Sequence, residues 1–425
     1  MRRTLILLPH EIASIPLFGI GWILGLILVG ALGVTIYLRS RGQRPIDYWK
    51  VNGLMWGIIA GVTTFVMPNI ELESAAGVPV GMAIRGYGVM LLLGVAASIG
   101  VAVARGRRYG ISDDVMLGIA PWLLVGGIVG ARLFYVIEYR DKFFTGELGS
   151  TIKNLINFTE GGLVVYGSFI GGFLAGVFYV RQHRLPFLRM GDVIVPCLFI
   201  GLCLGRLGCL MNGCCYGNAC EDHWTALRFP NGSPVYQDQL ASGELVGIKM
   251  DGLRATVQST APDSLATADG IKVGARISRF DVVHSNEEAD PLKPAEDAPL
   301  GLLAVINGSE HYWAASKLPP VANPVRASQI LSSLGGLFLC VSLCIFSRFS
   351  QKNGVVMMVG FASYSVLRFG MEMLRNDEPG QFGTTLTIAQ WVSIVVFSLS
   401  CTGLVWLRLR ESTGIRDRIA GHLGS

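Results

Sequence analysis

GDVIVPCLFIGLCLGRLGCLMNGCCYG, residues 191–217, begins as an apolar run and ends as a polar string. The run 191–212 has the length, about 20 residues, that a helix needs to cross a bilayer. Arg206 lies a turn or more inside its far end, and Asn212 closes it. An arginine at the centre of a bilayer costs roughly 2.5 kcal/mol or more. Such a cost makes sense where something anionic needs the charge, and in a membrane the first anion to consider is a lipid phosphate.

The rest of the chain has the same character. Its 425 residues are 51% hydrophobic and 15% charged, with a mean hydropathy of +0.49. A soluble domain carries about 25% charged residues, so the composition alone indicates a membrane protein. Fifty-four glycines suit closely packed transmembrane helices. The formal charge of +5 is no argument for a nucleic-acid partner, because the basic residues cluster beside the apolar runs. Nine runs are long enough to span: 16–38, 51–70, 80–104, 115–137, 163–180, 191–212, 329–347, 354–374 and 387–407. The first follows Arg2 and Arg3 but is too long for a signal peptide and lacks a small-residue cleavage site, so it reads as an anchor. The expected fold is an all-α polytopic membrane protein of about nine transmembrane helices, with a small β-containing extracytoplasmic insert.

Basic residues set the orientation. Arg39, Arg41, Arg44 and Lys50 follow the first span; Arg105, Arg107 and Arg108 follow the third. Arg181, Arg184 and Arg189 follow the fifth, Arg348 and Lys352 the seventh, and Arg408, Arg410, Arg416 and Arg418 the ninth. These are alternate loops, which places the N-terminus outside and the C-terminus in the cytoplasm. The polar segment 218–325, rich in Asp, Ser, Pro and Gly, then lies outside. Its stretch 257–281, VQSTAPDSLATADGIKVGARISRFD, loosely resembles the middle of a PDZ domain.

With that topology the unusual residues share one depth. Arg85 and Tyr87 start the third span, Arg132 and Tyr135 end the fourth, and Tyr166 starts the fifth. Arg206 and Asn212 end the sixth, and Arg368, Glu372 and Arg375 end the eighth. All fall in the outer half of the membrane. Arg368, Glu372 and Arg375 are spaced i, i+4, i+7, which predicts one helix face on which the glutamate holds both arginines. Arginine suits phosphate because its planar fork gives two parallel hydrogen bonds and keeps its charge. The bland alternative is snorkelling to headgroups, which suits Arg140 or Arg375 taken alone better than the pair Arg206 and Arg368. The glycine-rich segment 161–172 around Tyr166 lets backbone approach a ligand or another helix.

Five of the nine cysteines, Cys197, Cys203, Cys340, Cys344 and Cys401, lie inside apolar runs as small hydrophobes. Cys209, Cys214, Cys215 and Cys220 cluster, and His223 follows them. Their spacing is not that of a zinc site and the outer compartment favours oxidation, so neither a metal nor a cofactor is expected. A disulfide from Cys220 to Cys214 or Cys215, or thiols packed at the helix end, are the alternatives.

At these residues the chain resembles the prolipoprotein diacylglyceryl transferases. The resemblance covers roughly 80–230 and 320–410 and rests on blocks in a fixed order: IRGYGVMLLLG (84–94), GARLFYVIEY (130–139), EGGLVVYGSFIGG (160–172), GDVIVP (191–196), GRLGCLMNGCCYG (205–217), a degraded RASQILSS (326–333) and YSVLRFGMEMLRND (364–377), with Thr387 and Gln390 beyond. It implies an inner-membrane transferase moving a diacylglyceryl group from phosphatidylglycerol to the cysteine thiol of a prolipoprotein signal peptide. By the same resemblance Arg206 and Arg368 grip the phosphate. Glu372 orients Arg368 and Arg375. Tyr87, Asn212 and Gly217 contact the headgroup, and Arg85 and Arg132 support the layer. Asp192 matches a family position but reads as the N-terminal residue of its helix. The implied division is two extra helices (1–75), a first core segment (76–217), the insert (218–325), a second core segment (326–410) and a cytoplasmic tail (411–425).

The chain departs from the family in three places. Tyr166 stands where a catalytic histidine is usual, and no histidine lies within a predicted span. Free tyrosine titrates near 10, a poor match to a thiol proton. Cys209 replaces an asparagine, and Cys214 and Cys215 replace a glutamate and its neighbour. Leu331 and Ser332 stand for tyrosine and glutamate, and Arg326 for histidine. These departures leave room for a paralogue with another acceptor. A transporter or lipid-binding scaffold is the rival class; it calls for polar residues along the whole depth and for repeats, and the inner halves of these spans are nearly bare.

Overall fold

The computed structural model describes residues 4–73, 79–143, 162, 164–221, 223, 226–251, 255–284, 299–350, 352–375, 380–381 and 383–423. Arg2, Arg3, Glu160, Gly161, Leu163, Asn376 and Asp377, used in the sequence argument, lie outside the described residues. The chain divides into two compact units, residues 1–89 with 208–327, and residues 90–207 with 328–425.

The first unit opens with β1 (Thr4–Pro9), the two-residue strands β2 (Glu11–Ile12) and β3 (Ile15–Pro16), and the apolar helices α1 (Trp22–Ser40) and α2 (Pro45–Gly61). Pro45 occupies the first turn of α2, where a missing N–H costs nothing. None of the α1 residues is buried, as lipid contact requires. After α2 come β4 (Leu72–Glu73) and β5 (Pro79–Arg85). β1 pairs antiparallel with β5, from Thr4 opposite Arg85 to Pro9 opposite Gly81. The buried carboxylate of Glu71 pairs with His10 Nδ1 and ties this strand to the end of the helical hairpin.

β5 runs into α3 (Gly86–Arg108), followed by α4 (Asp113–Glu138), the single turn α5 (Arg140–Phe143), α6 (Val165–Gln182) and α7 (Phe187–Asn212). α4 and α6 pack closely because glycines face glycines. A Cβ on Gly167 would collide with the Gly130 carbonyl and Phe134, and one on Gly171 with the Gly126 carbonyl. Gly167 and Gly171 thus serve helix packing.

The insert holds α8 (Pro234–Ala241), the hairpin β7 (Ile248–Asp251) and β8 (Thr256–Thr260), the single turn α9 (Leu265–Ala268), and an antiparallel sheet of β9 (Ile277–His284), β10 (Pro299–Ile306) and β11 (Ser309–Ala314) in the order β11-β10-β9. The PDZ-like stretch forms β8, α9 and β9. Val235, Tyr236, Leu240, Val246, Leu302 and Trp313 are at the centre of its core. Its two ends are zipped together by β6 (Ala226–Leu227) and β12 (Val325–Arg326).

The chain then completes the second unit with α10 (Ser328–Phe346), α11 (Val355–Glu372) and α12 (Ile388–Leu423). Eight helices among the described residues are long and apolar enough to cross a membrane. The remaining predicted span, the fifth (163–180), is the helix α6; glycines and the terminal Arg181 and Gln182 dilute its apolar character.

Two expectations from sequence change at the other end of this unit. Asp192 caps a helix other than its own. Its Oδ2 accepts from Gly354 N at 2.6 Å and its Oδ1 from Met357 N at 2.8 Å, which satisfies the first turn of α11. Arg105, counted above as a loop charge, is only 4% exposed. It donates to the carbonyls of Asp192 (2.7 Å) and Val193 (3.2 Å) and to Ser347 Oγ (3.1 Å), joining α3, α7 and the end of α10.

Candidate active site

Arg368 and Glu372 lie one turn apart on α11, with Arg368 Nη1 2.8 Å from Glu372 Oε2. The glutamate side chain is 4% exposed and the arginine 25%. A carboxylate this buried needs further partners. One comes from the start of α12, where Thr387 Oγ1 donates to Glu372 Oε1 at 3.2 Å. Thr387 also accepts from Gln390 N (3.3 Å), while Gln390 Oε1 accepts from Thr387 N (3.0 Å). This is a capping box, the reciprocal arrangement that threonine and glutamine three residues apart form at a helix start. The rigid start of α12 therefore holds Glu372, and Glu372 holds Arg368.

Arg206 comes from α7 and faces the same place. Leu202, Arg206, Ser332, Tyr364, Leu367, Arg368 and Met371 line one recess. Two guanidinium groups from different helices thus face a common space. Ser332 lies beside them, a residue the sequence marked only as a departure. Leu202 and Tyr364 also border a second cavity of about 450 Å³, an apolar groove among α4, α6, α7 and α11. Phe169, Phe173, Met190, Leu198 and Phe361 supply much of its wall, and Gly172 and Gly176 leave room on the α6 side. A charged recess that shares the wall residues Leu202 and Tyr364 with an apolar groove matches a molecule with an anionic head and a hydrocarbon tail.

The other predicted residues distribute as follows. α11 ends at Glu372, and Arg375 lies past it, its N–H bonded to the Glu372 carbonyl at 3.1 Å. The shared helix face therefore covers Arg368 and Glu372 and stops before Arg375. Arg132 is buried; it donates to Gly162 O at 3.2 Å and stacks over Tyr135 and Phe143. That use fixes the chain entering α6. Tyr166 lies in the first turn of α6, 37% exposed, and is not among the residues lining the recess. In the first unit, Arg85 ends β5, Tyr87 is 41% exposed at the start of α3, and Asn212 ends α7. Gly217 N donates to Arg326 O at 3.0 Å where the insert closes.

Sequence reasoning missed the role of Thr387 and Gln390, although their T-x-x-Q spacing before an apolar run is a readable signal. It also missed the groove. Its sequence trace is faint, the pair Gly172 and Gly176 one turn apart on α6 and Gly191 on α7.

A family model described as prolipoprotein diacylglyceryl transferase matches residues 75–406. The chain belongs to this family. Among curated relatives, the phosphatidylglycerol–prolipoprotein diacylglyceryl transferase of Rhodopirellula baltica is 41% identical over 455 aligned residues, covering 99% of this chain and 92% of the relative. The enzyme of the same name from Geobacter sulfurreducens is 35% identical over 167 residues, 38% of this chain and 62% of the relative. That of Deinococcus radiodurans is 34% identical over 127 residues, 30% and 38% respectively. The family match begins after α2, whereas the Rhodopirellula alignment takes in the N-terminal helices and the insert.

Proposed function

We propose that this membrane transferase moves the diacylglyceryl group of phosphatidylglycerol onto the lipobox cysteine of prolipoprotein signal peptides. The observation that carries the reading is the recess lined by both Arg206 and Arg368, beside an apolar groove with which it shares Leu202 and Tyr364. The phosphate binds between the guanidinium groups and an acyl chain lies along the groove. The cysteine sulfur attacks the glycerol carbon that bears the phosphate. A carbon–sulfur bond forms, a carbon–oxygen bond breaks, and glycerol phosphate leaves with one more negative charge than the phosphodiester carried. Arg206 and Arg368 offset that charge as it develops, which is where fixed cations contribute most. Glu372 and Thr387 keep Arg368 aimed. Tyr87, Arg85, Asn212 and Gly217 contribute to headgroup recognition, with Arg375 and Arg132 supporting. Tyr166 stands at the position where the family has a histidine, and the rate of transfer by Tyr166→Phe tests whether its hydroxyl takes part in moving the thiol proton.

Membership of the family supports a bacterial inner-membrane location, and the alternation of basic loops supports an N-terminus outside, a C-terminus in the cytoplasm and the recess toward the outer side. The test is a transfer assay on purified protein with phosphatidylglycerol and a lipobox peptide. The peptide should gain a diacylglyceryl mass, and a peptide with serine for the cysteine should not. Absence of any gain from folded, lipid-binding protein refutes the reading.

A further inference from the structure

The end of α7 carries a cluster of three cysteines to which the transfer step above gives no part. Cys209 lies in the last turn of the helix. Its carbonyl accepts from Gly213 N at 2.9 Å and from Cys214 N at 3.1 Å, and Gly213 turns the chain back with φ of +76°. Cys215 follows with φ of +57°, a left-handed conformation unusual for a residue other than glycine. The result is that the sulfurs of Cys209, Cys214 and Cys215 all lie within 4.8 Å of one another. The turn is held from the other side too. Val235 N donates to Gly213 O at 3.3 Å, and a Cβ on Gly213 would stand 3.1 Å from Phe229 and Ser233, in the insert core. The three thiols are therefore brought together by a backbone whose course is fixed independently of them. The spacing in sequence argued against a metal; the turn overrides that argument.

We propose that Cys209, Cys214 and Cys215 form a binding site for a soft, thiophilic cation, Zn²⁺ or Cu⁺. Thiolates select these ions over magnesium or calcium, which need oxygen ligands. Zinc–sulfur bonds of about 2.3 Å place three sulfurs around one ion roughly 4 Å apart, so side-chain rotations of under about 1 Å complete the site. Binding displaces the three thiol protons to solvent and changes no oxidation state. Among the described residues no fourth His, Cys, Asp or Glu joins the group. Three thiolates suit trigonal Cu⁺ directly, and Zn²⁺ would add a water. The ion would clamp Asn212 and Gly213 between its ligands and so fix the turn that follows α7.

The test uses the full-length protein, purified under reducing, oxygen-free conditions and stripped with a chelator. Zn²⁺ and Cu⁺ are added in separate titrations. After desalting, elemental analysis and thiolate-to-metal charge-transfer absorption are recorded. We expect one tightly held ion per chain, at least tenfold weaker retention in Cys209→Ser and in Cys215→Ser, and unchanged retention in Cys220→Ser, which lies outside the triad. The single serine variants change one atom each, and circular dichroism confirms that they fold. Two results overturn the proposal: retention no different between wild type and the triad variants, or two of the three sulfurs joined as a disulfide in protein isolated without oxygen. Because the readout is metal content, failure here leaves the transferase reading intact.

Discussion

Replacing Thr387 by valine keeps the volume and removes one hydroxyl. In the structure that hydroxyl has two duties, donating to Glu372 Oε1 and accepting from Gln390 N. The first is a hydrogen bond to a charged group that is almost wholly buried, a type that contributes about 1.5–3 kcal/mol. The second is a helix cap, with a contribution of about 0.5–2 kcal/mol. Loss of the first leaves Glu372 with one fewer partner and loosens Arg368. If the whole of that bond serves to hold Arg368 in the transition state, kcat/KM falls roughly 10- to 100-fold, since about 1.4 kcal/mol is a factor of ten. The cap contribution appears as lower thermal stability. Two further variants separate the effects. Thr387→Ser retains the hydroxyl and should keep kcat/KM within about threefold, by the same conversion. Gln390→Ala breaks the capping box but leaves the Thr387 to Glu372 bond, so Tm should drop while turnover holds. The assay is peptide diacylglycerylation at varied phosphatidylglycerol, with Tm measured on the same preparations. Equal activity in Thr387→Val and Gln390→Ala would refute the positioning argument.

Three other outcomes follow from the geometry. Gly167→Ala drives a methyl group into the Gly130 carbonyl and should destabilise by about 1–3 kcal/mol as overpacking does; Gly100→Ala, with nothing within 4 Å of its new carbon, should be neutral or raise Tm. Asp192→Ala removes two charge-assisted bonds at the start of α11, each of about 1.5–3 kcal/mol, and should lower the Tm of solubilised protein far more than Asp192→Asn. Leu198→Trp narrows the apolar groove and should slow transfer from long-chain phosphatidylglycerol more than from a short-chain donor, read as the ratio of initial rates.

The membrane helices were legible because a bilayer imposes length and hydropathy on each span locally. Arg206 and Arg368 were legible for the complementary reason, that a charge inside an apolar run needs a cause. What the sequence hid depended on distant partners. Arg105 looks like every other basic residue after a span, and only the carbonyls of Asp192 and Val193 show that it is buried structure. The pairing of β1 with β5 joins strands separated by two helices. Arg375 keeps the helical spacing in sequence, but α11 stops three residues earlier. The glycines of α6 serve two purposes at once: Gly167 and Gly171 meet α4, whereas Gly172 borders the groove. Helical spacing alone does not say which glycine faces which neighbour.

The central claim is that two arginines from separate helices hold one lipid phosphate for transfer. Its most direct test is diacylglyceryl transfer to a lipobox peptide by Arg206→Ala and Arg368→Ala proteins, followed by mass spectrometry, with folding checked in parallel. The account predicts that each variant folds and that transfer falls at least about 100-fold, the loss expected when a charge-stabilising donor is removed. Turnover near the wild-type rate in either folded variant would contradict it.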